Sequence, residues 1–108
     1  MTPPRLTRLL TLETPARVAD GAGGFAENWT VLGRLWAEVT LRTGRESGGF
    51  SKSRFRILVR AAPQGSTMRP GPDQRFRDGD RVFRIEAVSE RDPEGRYLTC
   101  LATEEVVA

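Results

Sequence analysis

The sequence predicts an all-β protein, specifically a small antiparallel β-barrel of about six strands with a long loop between the second and third strands. Segments in which apolar and polar residues alternate recur along the 108 residues, and a period of two is typical of half-buried strands. Glycine, proline and aspartate separate these segments, as turns require. No stretch of 11 or more residues keeps an apolar period of 3.6, so we expect no helix.

We expect a single domain over residues 1–108, because this length supports one hydrophobic core. A hydrophobic fraction of 38% and a charged fraction of 29% are typical of a globular protein. No apolar run approaches the roughly 18 residues that a membrane-spanning helix needs. Arg8 interrupts the N-terminal leucines, so no signal-peptide core forms. The lone Cys100 excludes an internal disulfide and fits a reducing compartment, so we expect synthesis in the cytoplasm and no membrane partner.

The first strand is predicted over residues 6–12, where threonine and leucine favour β-structure. Pro15 should end this strand or confine it to an edge, because proline lacks a backbone N–H. Residues 20–24 read Asp-Gly-Ala-Gly-Gly and predict a turn, since glycine and aspartate tolerate positive φ.

The second strand is predicted over residues 28–42. Trp29, Val31 and Leu35 fall on one face of this strand, and Trp36 falls on the other. Gly33 is the expected position of a β-bulge, because glycine within a strand often marks one.

The remaining strands are short and separated by turns. They are predicted over residues 53–61, 75–77, 81–88 and 96–104. Asp78-Gly79-Asp80 is a hairpin turn, and Asp92-Pro93-Glu94-Gly95 has proline at the second position of a type I or II turn. Such a series of hairpins in about 100 residues favours a barrel, which leaves no exposed edge.

The connection over residues 43–52 is the most informative segment for function. It is too long for a tight hairpin and has few residues that could pack against a core. Connections of this length are usually functional or disordered. The candidate partner-binding residues are Gly44, Arg45, Glu46, Ser47, Gly48, Gly49, Phe50, Ser51 and Lys52.

Charge is distributed unevenly along the chain, whose formal net charge is +3. Residues 42–60 hold six basic residues and one acidic residue, whereas the chain from Glu86 onward holds six acidic and two basic residues. Opposed patches permit head-to-tail self-association, and a basic patch could also face nucleic acid. The candidate subunit-interface residues are Arg42, Arg54, Arg56, Arg60, Glu104 and Glu105.

The residue types present argue against an enzyme. The chain has no histidine, so it lacks the commonest general base and any Ser-His or Cys-His pair. Cys100 lies in an apolar strand and is expected to be a buried structural thiol. One cysteine cannot assemble a zinc site, and the turn carboxylates lack calcium-loop spacing. We therefore expect no catalytic residues, no metal and no cofactor.

Seven short segments follow one another in an informative order and spacing. They are residues 20–24, Trp29, residues 36–39, 44–46, 55–57, 79–85 and 96–98. In this order they resemble the head-tail joining proteins of tailed bacteriophages, also called head-completion or stopper proteins, which have relatives in gene transfer agents. The resemblance covers about residues 5–105, and it depends on order and spacing, since no single segment is specific.

This resemblance implies a structural virion protein in the neck of a phage-like particle. Its copies would form a ring, expected to be a hexamer, between the portal or adaptor protein on the head side and the tail terminator or tail tube protein on the tail side. The loop over residues 43–52 would project toward the channel and help to retain packaged double-stranded DNA. Arg45 and Lys52 would face phosphates or acidic neighbours, and Phe50 would contact its symmetry mates.

Two other classes of function remain open at the level of sequence. A small β-barrel nucleic-acid-binding module would expose aromatic side chains together beside basic ones, so the exposure of Phe50, Phe55, Phe76 and Phe83 is the discriminating observation. A small hydrolase would need a pocket on which polar groups converge.

Overall fold

Six antiparallel strands make up the computed structural model, which describes residues 2–19, 21, 25–47 and 50–105. The strands are β1 (Arg8–Ala19), β2 (Phe25–Ser47), β3 (Phe50–Arg60), β4 (Arg75–Asp78), β5 (Arg81–Glu90) and β6 (Tyr97–Glu105). They close into a barrel in the order β1-β2-β3-β6-β5-β4. The predicted all-β barrel of about six strands is confirmed.

The core fills the inside of the barrel with the inward-facing residues of the strands. The largest fully buried side chains are Phe76, Phe83, Leu10, Leu12, Ile57, Ile85, Leu98, Val59 and Cys100. Phe55 and Phe83 pack edge to face, with ring centroids 5.1 Å apart and ring planes at 80°, an arrangement that aromatic quadrupoles favour. Burial raises the pKa of the Cys100 thiol to about 12, which confirms the prediction of a buried structural thiol.

Three β-bulges bend the long strands. The pairing of β1 with β2 passes from Leu12↔Gly33 to Glu13↔Val31, which leaves Leu32 as the extra residue. In the same way Arg42 is extra on β2 and Glu86 is extra on β5. A bulge increases local twist and bend, so these positions help the sheet to close. The bulge expected at Gly33 lies at the adjacent residue.

The bulge at Leu32 reverses the facing of the residues before it. Val31 pairs with Glu13 and is 55% exposed, whereas Leu35 pairs with Leu10 and packs against the core. The prediction that Val31 and Leu35 share a face was therefore wrong, because an extra residue shifts a period of two by one position.

Strand β1 continues past Pro15, where the sequence predicted an end or an edge. From Thr11 to Glu13, β1 pairs with β4 as well as with β2. Beyond Glu13, its partners in the described residues all lie on β2; Pro15, for example, pairs with Trp29. This part of β1 is an edge, where the missing N–H of proline is tolerated. β1 and β2 thus extend from the barrel as a two-stranded arm toward the turn predicted over residues 20–24, of which only Gly21 is described.

The connection between β3 and β4 packs across the end of the barrel from which this arm projects. The Asp73 N–H donates to the Ile85 carbonyl, and the Ile85 N–H donates to the Gln74 carbonyl. Met68 lies over Gly33, where an added Cβ would come within 2.7 Å of the Met68 Cε atom. Gly33 is therefore needed for the close approach of this side chain.

Replacing Gly33 by alanine should lower the free energy of unfolding by about 1 kcal/mol or less, because only the flexible end of the Met68 side chain must move away. Gly71→Ala is the control, since its Cβ would meet no atom nearer than 4.0 Å. Urea unfolding measures Gly33→Ala, Met68→Ala and the double variant. The double variant should lose less free energy of unfolding than the two single variants lose in sum. Equal stability of Gly33→Ala and Gly71→Ala would contradict this packing.

The turn before β6 is organised by the buried Asp92 carboxylate. It accepts hydrogen bonds from the backbone N–H groups of Arg96 and Tyr97 at 3.0 and 3.2 Å, and from Arg96 Nε at 3.1 Å. Burial raises the pKa of Asp92, but the hydrogen bonds outweigh burial and hold the pKa below its ordinary value. Gly95, at φ +66°, completes this turn.

Because its folded-state pKa is lowered, ionised Asp92 stabilises the fold above its unfolded pKa of about 3.9, and this stabilisation is lost as the pH falls through the folded value. Asp92→Asn should therefore reduce the dependence of the urea midpoint on pH below about pH 4. Asp80→Asn, at an exposed carboxylate without an ion pair in the described residues, is the control and should leave that dependence unchanged.

Candidate partner-binding surface

Strand β3 places an arginine row, Arg54, Arg56 and Arg60, on the outside of the barrel. The alternating residues of this strand face the core, so the arginines must face outward. Arg54 pairs with Thr103 and Arg56 with Leu101 on β6. The Arg60 guanidinium lies 5.7 Å from the centroid of the Tyr97 ring. The structure therefore brings three predicted interface residues onto one surface.

An open cleft of about 460 Å³ lies at one end of the arginine row. Its lining residues are Arg42, Arg54, Phe55, Glu86, Ala87, Leu101 and Ala102. Arg42 and Glu86 are the extra residues of two bulges, and a bulge redirects the side chains around it. Leu101 is 44% exposed, which makes part of the cleft apolar.

The arginines at this cleft lack internal charge partners. In the part of the chain that the structure describes, Arg42, Arg54 and Arg56 form no ion pair. The buried Nε of Arg56 also has no hydrogen-bond partner there. An unsatisfied buried donor costs about 1–3 kcal/mol, so the polar group of Arg56 gains no stabilising hydrogen bond at its Nε within the described part of the subunit.

The predicted acidic interface residues, by contrast, have partners within the subunit. Glu104 accepts hydrogen bonds from Arg81 Nε at 2.8 Å and from a second Arg81 nitrogen at 3.1 Å. These bonds are the main cause that raises the pKa of Arg81. Glu105 lies 3.7 Å from Arg84. A neighbouring subunit would have to compete with these contacts for either carboxylate.

The predicted channel loop forms a second two-stranded arm at the opposite end of the barrel from the first. Gly44, Arg45, Glu46 and Ser47 end β2, and Phe50, Ser51 and Lys52 begin β3, with pairing through Ser47↔Phe50. Gly48 and Gly49 lie outside the described residues, as do the side chains of the other members. The backbone is thus more regular than a free loop, because a paired ribbon satisfies its own N–H and C=O groups.

An exposed apolar pair, Leu9 and Trp36, is the surface that the sequence did not identify. The two residues are direct cross-strand partners on β1 and β2, 40% and 56% exposed respectively. The sequence contained one signal of it, because Trp36 falls opposite to the core-facing Leu35 and Ala37. Large exposed apolar groups often mark an interaction site.

The N-terminal segment before β1 lies across the outside of β3. The backbone N–H of Arg5 donates to the Glu38 carboxylate, and Arg91 donates to the Thr2 carbonyl at 2.8 Å. Between these two points lies Leu58, which faces outward but is only 4% exposed. The segment thus covers the arginine row between Arg56 and Arg60 and leaves the cleft open.

The aromatic side chains do not form an exposed platform in the described structure. Phe55 is 9% exposed, and Phe76 and Phe83 are fully buried; the Phe50 side chain lies outside the described part. Stacking of nucleic-acid bases needs exposed rings, so the buried phenylalanines argue against the single-stranded nucleic-acid-binding module.

No group of three or more cysteine, aspartate or glutamate side chains that could hold a metal ion occurs among residues 2–19, 25–47 and 50–105 as far as they are described. None of the described segments forms a helix long and apolar enough to cross a membrane.

Comparisons with known proteins give consistent results. The protein family described as phage head completion protein matches residues 1–105. A chain in a solved structure of the virion of a native gene transfer agent particle is 56% identical, with a TM-score of 0.86 and coverage of 98% of this chain and 100% of that chain. No curated protein matches. The resemblance found in the sequence is confirmed.

Arg56→Met should leave the free energy of unfolding unchanged or raise it by up to about 1 kcal/mol, because it removes a buried donor without a partner. Arg75→Met is the matched variant, since Arg75 Nε donates at 2.7 Å to the buried Glu13 carboxylate, and it should lower stability by about 1–3 kcal/mol. Urea unfolding of both variants checks this difference. Equal losses would show that Arg56 stabilises the subunit.

Proposed function

Because the chain belongs to the phage head completion protein family, we propose that its copies form a ring, expected to be a hexamer, in the neck of the particle. Its general role is structural, as a head-completion component of a virion or phage-like particle. The ring would lie between a portal or adaptor protein and a tail terminator or tail tube protein. The proposed role includes retention of packaged double-stranded DNA and no catalysis.

The observation that carries this proposal is the arm formed by β2 and β3. The last described pairing of β3 with β6 is Ser53↔Glu104, whereas β2 and β3 stay paired through Ser47↔Phe50. Three further residues of strand correspond to about 10 Å of projection. Because the arm extends past the last described pairing of β3 with β6, its length suggests a task outside the barrel.

A ring would bring several such arms into one channel. Arg45 and Lys52 occupy one register position on the two strands of the arm, so each subunit would present two cations at the same height. Phosphates of DNA attract such a repeated positive charge. The glycines at positions 44, 48 and 49 allow an open and a closed arrangement, because glycine changes backbone conformation at low cost.

The barrel itself is suited to side-by-side assembly. Its closure leaves no unpaired edge within the barrel for strand addition, so neighbouring subunits would have to meet through side chains. Arg42, Arg54 and Arg56, which form no ion pair within the described part of the chain, supply one such surface. Their guanidinium groups suit carboxylates and aromatic faces.

The proposal is tested by particles in which residues 45–52 are replaced by Asn-Gly, which closes the Gly44↔Ser53 pair of β2 and β3 with a tight turn. These particles should keep the ring but lose DNase-protected DNA, because the channel lacks its closing arms. The control replaces residues 20–24 by the same dipeptide at the opposite end of the barrel, and it should retain DNA.

Electron microscopy of both particle types locates the chain. Full DNA retention by the shortened arm would contradict the closing role while leaving the structural role intact. A chain located outside the neck would contradict the proposed function as a whole.

A further inference from the structure

We propose, building on the ring described above, that the Trp36 face of one subunit binds the cleft of the next subunit. The Trp36 face comprises Leu9, Arg34 and Trp36; the cleft is the one lined by Arg42, Arg54, Glu86, Ala87 and Leu101. The occupant of the cleft is thus a second copy of this chain.

The Trp36 face has the composition of an interface centre. Its indole is 56% exposed beside Leu9, its cross-strand partner. Arg34 is exposed on the same face of β2 and forms no ion pair with any described carboxylate. Tryptophan and arginine contribute most often to the energetic centre of protein interfaces.

The cleft has the size and lining to receive an indole ring. A cavity of about 150 Å³ holds a benzene molecule, and this cleft measures about 460 Å³. Ala87 and Leu101 are cross-strand partners and form its apolar part. Arg42 and Arg54 lie at its walls, and a guanidinium group binds well over an indole face.

The charges of the two faces are complementary when Trp36 enters the cleft. Glu86 accepts a hydrogen bond from the Thr103 hydroxyl through one oxygen, which leaves the other oxygen for Arg34 of the neighbour. Arg42 and Arg54 of the cleft would lie over the Trp36 indole ring of the neighbouring subunit. Glu104 and Glu105, which the sequence suggested as acidic partners, are already bound to Arg81 and Arg84.

The Trp36 face and the cleft are two different surfaces of the barrel. Glu86 on β5 lies three strands from β2 in either direction, whereas Arg42, on the other side of the cleft, lies on β2 itself, beyond Trp36 along the strand. Contacts between two different surfaces continue from subunit to subunit and close into a ring when the rotation allows it. Two Trp36 faces meeting each other would oppose their Arg34 side chains and stop at a dimer.

Cysteine cross-linking in assembled particles tests which faces meet. The double variant Leu9→Cys with Ala87→Cys, which keeps the Trp36 indole, should form, after mild oxidation, a ladder of disulfide-linked oligomers up to the closed ring. Disulfides need Cβ atoms within about 4.5 Å. The control pairs Val31→Cys with Ala87→Cys, because Val31 is 55% exposed on the neighbouring strand β2 but lies beyond the Leu32 bulge. It should remain monomeric on a non-reducing gel.

A charge exchange gives a second measurement that does not depend on cysteine chemistry. In native mass spectrometry with the portal or adaptor protein present, Arg34→Glu and Glu86→Arg should each lower the amount of ring by tenfold or more. The double variant should restore ring formation. Unchanged melting temperatures would show that both single variants fold.

Each outcome separates this inference from the proposed function. A ring without the Leu9–Ala87 cross-link or the charge rescue would overturn the assignment of these faces and leave the ring intact. Absence of any ring from particles that contain the chain would overturn both.

Discussion

Closure of the six-stranded sheet is the constraint on which the rest of the structure depends. Strands as long as β2 close around so small a core only if they bend, and the extra residues Leu32, Arg42 and Glu86 provide bends through β-bulges. Once the barrel is closed, the backbone groups of its wall are paired. Interaction with other molecules then falls to side chains on the wall and to strands that extend past it.

The bulges have a second effect, because each changes which side chains face outward. At Leu32 the register shift exposes Val31 while Leu35 packs against the core. At Arg42 and Glu86 the extra residues line one cleft from two sides. A device that closes the barrel thus also shapes its surface. Bulges commonly lie beside functional sites, since the extra residue redirects its neighbours.

Strand periodicity and turn chemistry predicted the fold class, the hairpin at Gly79 and the buried Cys100, because each depends on local sequence. Bulge positions depend on register between distant strands, so the exposure of Val31 could not be derived from β2 alone. The alternation of arginines with apolar residues along β3 predicted the arginine row. It did not predict that the described residues provide Arg54 and Arg56 with no carboxylate partner. That property depends on where the carboxylates of β6 lie after folding.

The arginines differ in whether they contact groups of their own subunit, and this difference connects stability with assembly. Arg75 and Arg81 bind carboxylates of their own subunit, and Arg81 also lies 4.9 Å from the ring centroid of Phe83, so they support the barrel. Arg42 and Arg54 have neither kind of contact in the described residues. A subunit that left such cations unpaired without use would gain only self-repulsion. Because a charge partner from outside the subunit removes that repulsion, the same side chains that weaken the single barrel would favour its assembled state.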